Sequence, residues 1–177
     1  MDWHSNTSEL ILNPRRPSGP ATEDLHRKLP ELSSHVWLAT SGTSGPDDSI
    51  KLVALAKNAV LTSAQAVNQH LRSNASDTWF CALPRFHVGG LGIWARAHLS
   101  GANVHSWSGL EKRWNVRRFY IELFESQATL TALVPTQIMD VVNLDLEAPE
   151  RLRAVVIGGG SLTPAFYRKA VQLGWPL

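Results

Sequence analysis

Between two apolar runs, Thr40-Ser41-Gly42-Thr43-Ser44-Gly45 gathers four hydroxyls and two glycines. Glycine lets backbone amides converge, and Ser/Thr hydroxyls add donors, so such a loop suits the oxygens of a phosphate. The same composition also describes an ordinary polar surface loop. It is not a Walker A sequence, since no Gly-Lys-Ser/Thr follows, and no full Gly-x-Gly-x-x-Gly opens a helix. Three further stretches carry chemistry. CALPRFHVGGLG (81–92) sets Phe86 and His87 between a strand end and a glycine-rich helix start, LTALVPTQ (130–137) ends a strand in Pro-Thr-Gln, and VVIGGGSLT (155–163) ends one in three glycines. Small and polar residues at four strand ends are hard to reconcile with core packing alone. They describe a pocket at strand ends, where open α/β sheets bind ligands.

The elements that must hold these junctions read as a layered α/β domain of short apolar strands and amphipathic helices. Strands are expected at 36–39, 52–56, 78–83, 103–107, 129–134 and 153–157. Helices are expected at 22–29, from an Asn58 cap to Leu71, from Gly90 to Leu99 with Gly101 as stop, after an Asn115 cap, from Pro135 to Val142, and from Thr163-Pro164 to Leu173. In the helix after Asn115, Val116, Phe119, Tyr120, Leu123 and Phe124 share one face. Residues 1–35 read as a mostly irregular arm and 36–177 as the α/β core; Trp175-Pro176-Leu177 looks like the start of a further element.

With 177 residues and 44% apolar content, the chain can bury roughly two thirds of its unfolded surface. A net charge of +2 with scattered Lys and Arg excludes a nucleic-acid footprint. No apolar run approaches a membrane span and the first residues lack signal-peptide order, so a cytoplasmic protein with no membrane partner is expected. Cys81 is the sole cysteine, which excludes an internal disulfide and a cysteine-based zinc site, and no metal ligand set is read elsewhere. Seven Trp imply that several lie at a surface or line a pocket.

In this order, the four stretches resemble the adenylate-forming acyl- and aryl-CoA ligase superfamily, whose phosphate loop runs Thr-Ser-Gly-Thr-Thr-Gly-x-Pro-Lys-Gly and is followed by a Pro-Leu-Phe-His motif. Within it, CALPRFHVGGLGIWARAHLSGA and the triple glycine are most similar to the 2-succinylbenzoate–CoA ligases of menaquinone biosynthesis. The resemblance covers about 36–177 and implies part of the large N-terminal domain of such an enzyme. It implies attack of a carboxylate on Mg2+-ATP, release of pyrophosphate, and transfer of the acyl group from AMP to CoA. On that resemblance Thr40, Ser41, Gly42, Thr43, Ser44 and Gly45 hold phosphates, with Lys51 assisting if the turn folds back. His87 is the catalytic candidate beside the reacting carboxylate, and Phe86, Gly89, Gly90, Gly158, Gly159 and Gly160 line the substrate site. The partners implied are a small carboxylic acid, ATP and CoA; a homo-oligomer is left open.

The chain departs from that pattern at Pro46-Asp47-Asp48-Ser49-Ile50, which precede Lys51 where the family places Pro-Lys. Those acids suit a triphosphate site only if they point away or help hold Mg2+. The family's Tyr-Gly-x-Thr-Glu segment, ribose-binding Asp and C-terminal lysine domain have no counterpart here, so the chain reads as a fragment, inactive alone. The alternative is a non-catalytic nucleotide- or acyl-binding module; a dinucleotide-binding domain is disfavoured by the missing fingerprint. Among single residues, Cys81 reads as a small buried hydrophobe, and His98 and His105 as surface or packing residues. Trp94 and Trp107 read as pocket lining or core. Arg85, Arg96, Arg117 and Arg118 either meet a dianionic substrate or face water, with water favoured for the paired 117–118.

Overall fold

The computed structural model describes residues 1–14, 22–39, 51–110 and 113–177. The loop 40–45 lies outside them. Strands β1 (Glu9–Ile11), β2 (His35–Ala39) and β3 (Leu52–Ala56) form one sheet, with β1 parallel and β3 antiparallel to β2. A second sheet contains β4 (Thr78–Cys81), β5 (Asn103–Ser106), β6 (Leu130–Leu133) and β7 (Ala154–Ile157), all parallel, in the order β5-β4-β6-β7. The helices are α1 (Thr22–Lys28), α2 (Lys57–Leu71), α3 (Val88–Ser100), α4 (Val116–Glu125), α5 (Pro135–Asn143) and α6 (Pro164–Gln172), with a 3-10 turn at Pro30–Leu32.

Alternation along β4 sorts the parallel sheet's two faces. Trp79 and Cys81 pack with Ile93 and Ala97 of α3, while Phe80 and Ala82 share a core with Phe119 and Leu123 of α4, Ile138 of α5 and Ala170 of α6. All four residues of β6 are buried, as a central parallel strand covered on both faces requires, and Thr131 donates its hydroxyl to the Phe80 carbonyl at 2.8 Å. The small sheet packs Val36 and Leu38 on Ala64 of α2 and on Leu91 and Ala95 of α3. Helix α3 therefore lies between two sheets, with Leu91 and Ala95 toward one and Ile93 and Ala97 toward the other.

The N-terminal arm is more ordered than its punctuation suggests. Its strand β1 pairs with β2, and Trp3 is buried against Val36 and Leu91. The fully buried Lys57 donates from Nζ to the carbonyls of Asp2 at 2.6 Å, Ser5 at 3.3 Å and Thr7 at 2.8 Å, with Glu9 at 3.5 Å. These bonds offset the cost of burying an ammonium. They also explain why α2 begins at Lys57 with Ala56 as its N-cap, not at Asn58: the Lys57 amide is already satisfied by the Ser34 carbonyl at 3.0 Å. Helix α4 starts as expected, the Asn115 side chain accepting from the Arg118 amide at 3.0 Å. Phe124, expected on its core face, is instead 55% exposed, because α4 turns only Phe119 and Leu123 fully inward. Of the tryptophans, Trp3, Trp37, Trp79, Trp107 and Trp175 are buried and Trp94 and Trp114 half-buried; Trp107 and Trp114 line a cavity, as expected of some, and all but Trp37 belong to one of three separate clusters. At the end of the chain, the Pro176 carbonyl accepts from the Val155 amide of β7 at 2.8 Å.

The amino edge of the parallel sheet is closed by a buried carboxylate. Asp77 accepts from Arg153 Nε and Nη2 at 2.9 and 2.6 Å, from the Thr129 hydroxyl at 2.7 Å and from the Asn74 amide at 3.0 Å. Burial by itself raises the pKa of Asp77, but these donors, Arg153 first, outweigh it and lower the value from 3.8 to about 2. With the folded pKa below the unfolded one, the stabilisation is complete above about 3.8 and is lost as pH falls toward 2. D77N is therefore expected to lower stability by on the order of 2 kcal/mol near neutral pH and by much less near pH 2, measured by urea unfolding at both.

Candidate functional site

In the order β5-β4-β6-β7 the chain leaves β4 for β5 on one side and then crosses back to β6 on the other. The carboxyl ends of β4 and β6 thus flank the switch point at which open α/β sheets form their ligand crevice. After β4 the chain makes a tight turn, with the His87 amide donating to the Pro84 carbonyl at 3.0 Å, and His87 in extended backbone then serves as N-cap of α3. After β6, Val134 leads into α5, and the Gln137 side chain accepts from the Val134 amide at 3.0 Å.

A cavity of about 280 Å³ opens here, lined by residues that include Pro84, Phe86, His87, Trp107, Trp114 and Gln137. Asn13 and Pro14 of the arm also reach it. The rings of Phe86 and His87 lie 4.6 Å apart. Partial burial lowers the His87 pKa below the ordinary histidine value, so the imidazole is neutral near neutral pH. Trp107 and Trp114 meet edge to face at 5.2 Å, and Trp114 Nε1 donates to Asp140 at 2.8 Å. Trp107 is therefore pocket lining as well as core. Trp94 is packed in the α3 face of the sheet.

A second cavity, of about 400 Å³, runs between β3, α2 and one stripe of α3 formed by Val88, Gly92 and Arg96. Val88 adjoins His87, so the stripe begins at the switch point and ends at Arg96. The guanidinium stacks over Trp79, Cζ lying 5.4 Å from the ring centroid, and burial depresses its pKa. Its Nε and Nη1 are buried without a hydrogen-bond partner among the described residues. A desolvated guanidinium with unused donors is a receptor for a carboxylate or phosphate. In the sequence Arg96 was one of four undistinguished arginines. The others differ: Arg118 pairs with Glu122 at 3.0 Å, Arg117 is exposed, and Arg85 stacks on Trp94.

The remaining site residues divide by position. Thr40, Ser41, Gly42, Thr43, Ser44 and Gly45 lie outside the described residues, as do Asp47 and Asp48; Lys51 is exposed immediately before β3. Gly158, Gly159 and Gly160 are exposed at the carboxyl end of β7, apart from the His87 cavity lining. The Gly158 amide donates to the Leu133 carbonyl at 3.2 Å, Gly159 has φ +81° beside Val134, and Gly160 faces Pro135, so this loop adjoins the end of β6. Gly89 is half-buried against Leu83. Gly90 is buried where a Cβ would stand 2.1 Å from the Pro84 carbonyl oxygen and 2.5 Å from that of Leu83. Cys81 is fully buried, and burial pushes its thiol pKa up, consistent with a packing role. His98 and His105 pack on the rings of Trp3 and Phe80. Among the described residues, no group of three or more His, Cys, Asp or Glu could hold a metal and no helix is long and apolar enough to cross a membrane.

Comparison with known proteins bears on these strand ends. A family model described as AMP-binding enzyme matches residues 10–176. A 2-succinylbenzoate–CoA ligase of Staphylococcus epidermidis is 28% identical over 138 residues, which cover 78% of this chain and 28% of the relative. One from Staphylococcus aureus is 25% identical over 178 residues, covering 100% of this chain and 34% of the relative. Among solved structures, O-succinylbenzoate coenzyme A synthetase (MenE) from Bacillus subtilis in complex with AMP superimposes with a TM-score of 0.67 at 24% identity, over 79% of this chain and 28% of that one. Wild-type Escherichia coli MenE with a bound OSB-AMS analogue gives 0.60 at 28% identity, over 79% and 28%. The chain thus spans about a third or less of the length of these relatives. The fold agrees with part of their N-terminal region.

The close approach at Gly90 yields a prediction. G90A must displace the turn that carries His87, so a loss of about 2 kcal/mol or more is expected in chemical denaturation, together with a changed His87 imidazole titration by NMR.

Proposed function

Because the chain belongs to the AMP-binding enzyme family, we propose that it forms part of the acid- and nucleotide-binding core of an ATP-dependent acid–CoA ligase acting on 2-succinylbenzoate. The observation that carries the acid specificity is the pair of cavities that meet in sequence at His87-Val88: His87 lines one, and the stripe Val88, Gly92 and Arg96 lines the other, with Arg96 Nε and Nη1 buried and unpartnered among the described residues. A dicarboxylic acid fits two such poles. One carboxylate pairs with Arg96, whose guanidinium lies beside Gly92, and the other is presented at the switch point beside His87. A neutral imidazole donates one hydrogen bond to the reacting carboxylate and orients it without drawing its electron pairs into an ion pair.

The nucleotide is assigned to the same carboxyl edge. ATP with Mg2+ supplies the adenylyl group, and CoA supplies the thiol that displaces AMP; a relative has been solved with ATP and magnesium ion. Thr40, Ser41, Gly42, Thr43, Ser44 and Gly45, with Lys51, are proposed to bind the phosphates. Phe86, Gly89, Gly90 and the loop Gly158, Gly159 and Gly160 are proposed to line the acid and adenylate. Residues 36–177 are proposed as the binding core and 1–35 as its arm, in a cytoplasmic enzyme.

Titration of 2-succinylbenzoate into the chain is expected to show binding that R96L weakens by at least about tenfold, while a monocarboxylate lacking the ring acid binds both proteins equally weakly. Extension of the chain with the C-terminal part of a relative is expected to yield pyrophosphate and an acyl-adenylate by mass spectrometry, about a hundredfold slower in H87A. Failure to form an adenylate from any aryl or acyl acid removes the enzymatic reading and leaves a binding module.

A further inference from the structure

We propose that Arg85 is a specificity-determining residue of this site, a pre-oriented cation that holds an anionic oxygen group of the substrate at the mouth of the crevice. The inference rests on the functional reading above and adds a second positive pole that the family motif does not supply, since Pro-Leu-Phe-His carries Leu where this chain carries Arg85.

Arg85 occupies the first corner of the turn from Pro84 to His87, closed by the His87 amide on the Pro84 carbonyl at 3.0 Å. That turn cannot drift, because the helix start at Gly90 lies directly against the carbonyls of Leu83 and Pro84. The side chain is exposed, yet its guanidinium lies 4.7 Å from the centroid of the Trp94 ring, and Trp94 is itself packed with Cys81, Leu83 and Ile93. This cation–π contact restrains the guanidinium, a group whose forked N–H donors suit a carboxylate or phosphate. No carboxylate pairs with Arg85 among the described residues. By contrast, Arg27, Arg118 and Arg153 each have an acidic partner. Arg85 follows the last residue of β4 by four residues and precedes His87 by two, on the side of the sheet where ligands bind.

The anion is either a phosphate of the nucleotide or a carboxylate of the acid, and the test has one arm for each. Isothermal titration compares the wild-type chain, R85L and R85K with ATP against adenosine, and with 2-succinylbenzoate against its monocarboxylate analogue. R85L is chosen because leucine can still pack on Trp94, and thermal melting verifies that it folds. R85L is expected to weaken one of the two anions about tenfold, to leave its uncharged or less charged counterpart unchanged, and to flatten the salt dependence; R85K recovers part of the loss. The arm that responds names the group. Unchanged binding of both anions by R85L overturns the proposal while the functional reading stands. A loss that R85K does not recover at all also overturns it, since that marks a packing defect and not a missing charge. If the wild-type chain binds neither ATP nor the diacid, the functional reading and this inference fall together.

Discussion

The close approach of helix α3 to the end of strand β4 is the constraint on which the site depends. Gly90 allows it, because the space for a side chain there is taken by the carbonyls of Leu83 and Pro84. A helix seated so tightly on a strand end leaves the connecting turn little freedom, and Arg85, Phe86 and His87 inherit that rigidity. The same seating fixes the rotation of α3. Leu91 and Ala95 then meet the small sheet, Ile93 and Ala97 meet the parallel sheet, and the stripe from Val88 through Gly92 to Arg96 opens on a cavity.

The fold handles buried charge in two ways. At the amino edge Asp77, Arg153 and Thr129 satisfy one another, and the buried carboxylate is held near pKa 2. Lys57, under the N-terminal arm, is likewise surrounded by carbonyl oxygens. Along α3, Arg96 lies over Trp79 and keeps buried N–H groups without partners among the described residues, and in the turn after β4 Arg85 rests on an aromatic face in place of a carboxylate. An unpaired buried guanidinium costs stability, a cost that the paired Arg153 does not carry.

Most of the architecture was legible from periodicity and punctuation. The strands expected at 36–39, 52–56 and 78–83, the last of which ends two residues early at Cys81, the Asn115 cap, Pro135 and Pro164 in first turns and Gly101 as a helix stop depend on residues near in sequence, so local rules suffice. Departures arise where a distant segment intervenes. Asn58 is displaced as a cap because the arm's Ser34 carbonyl takes the Lys57 amide, and β1 escapes notice because three residues acquire strand geometry only by pairing with β2. Phe124 satisfies the helical spacing yet lies outward, since spacing gives a face but not the width of the surface that covers it.

What the sequence determined by itself was the order of strand-to-turn-to-helix junctions and the residue types they carry, because glycine, proline, hydroxyl and imidazole act through local backbone geometry and intrinsic chemistry. Tertiary structure decided the strand order β5-β4-β6-β7 and hence which junctions share a crevice. It also decided which arginines are paired and which stand unsatisfied. Burial and partnership are properties of space: Arg96, Arg118 and Arg153 carry the same group, and only packing leaves the first with buried N–H groups unused while giving the other two a carboxylate.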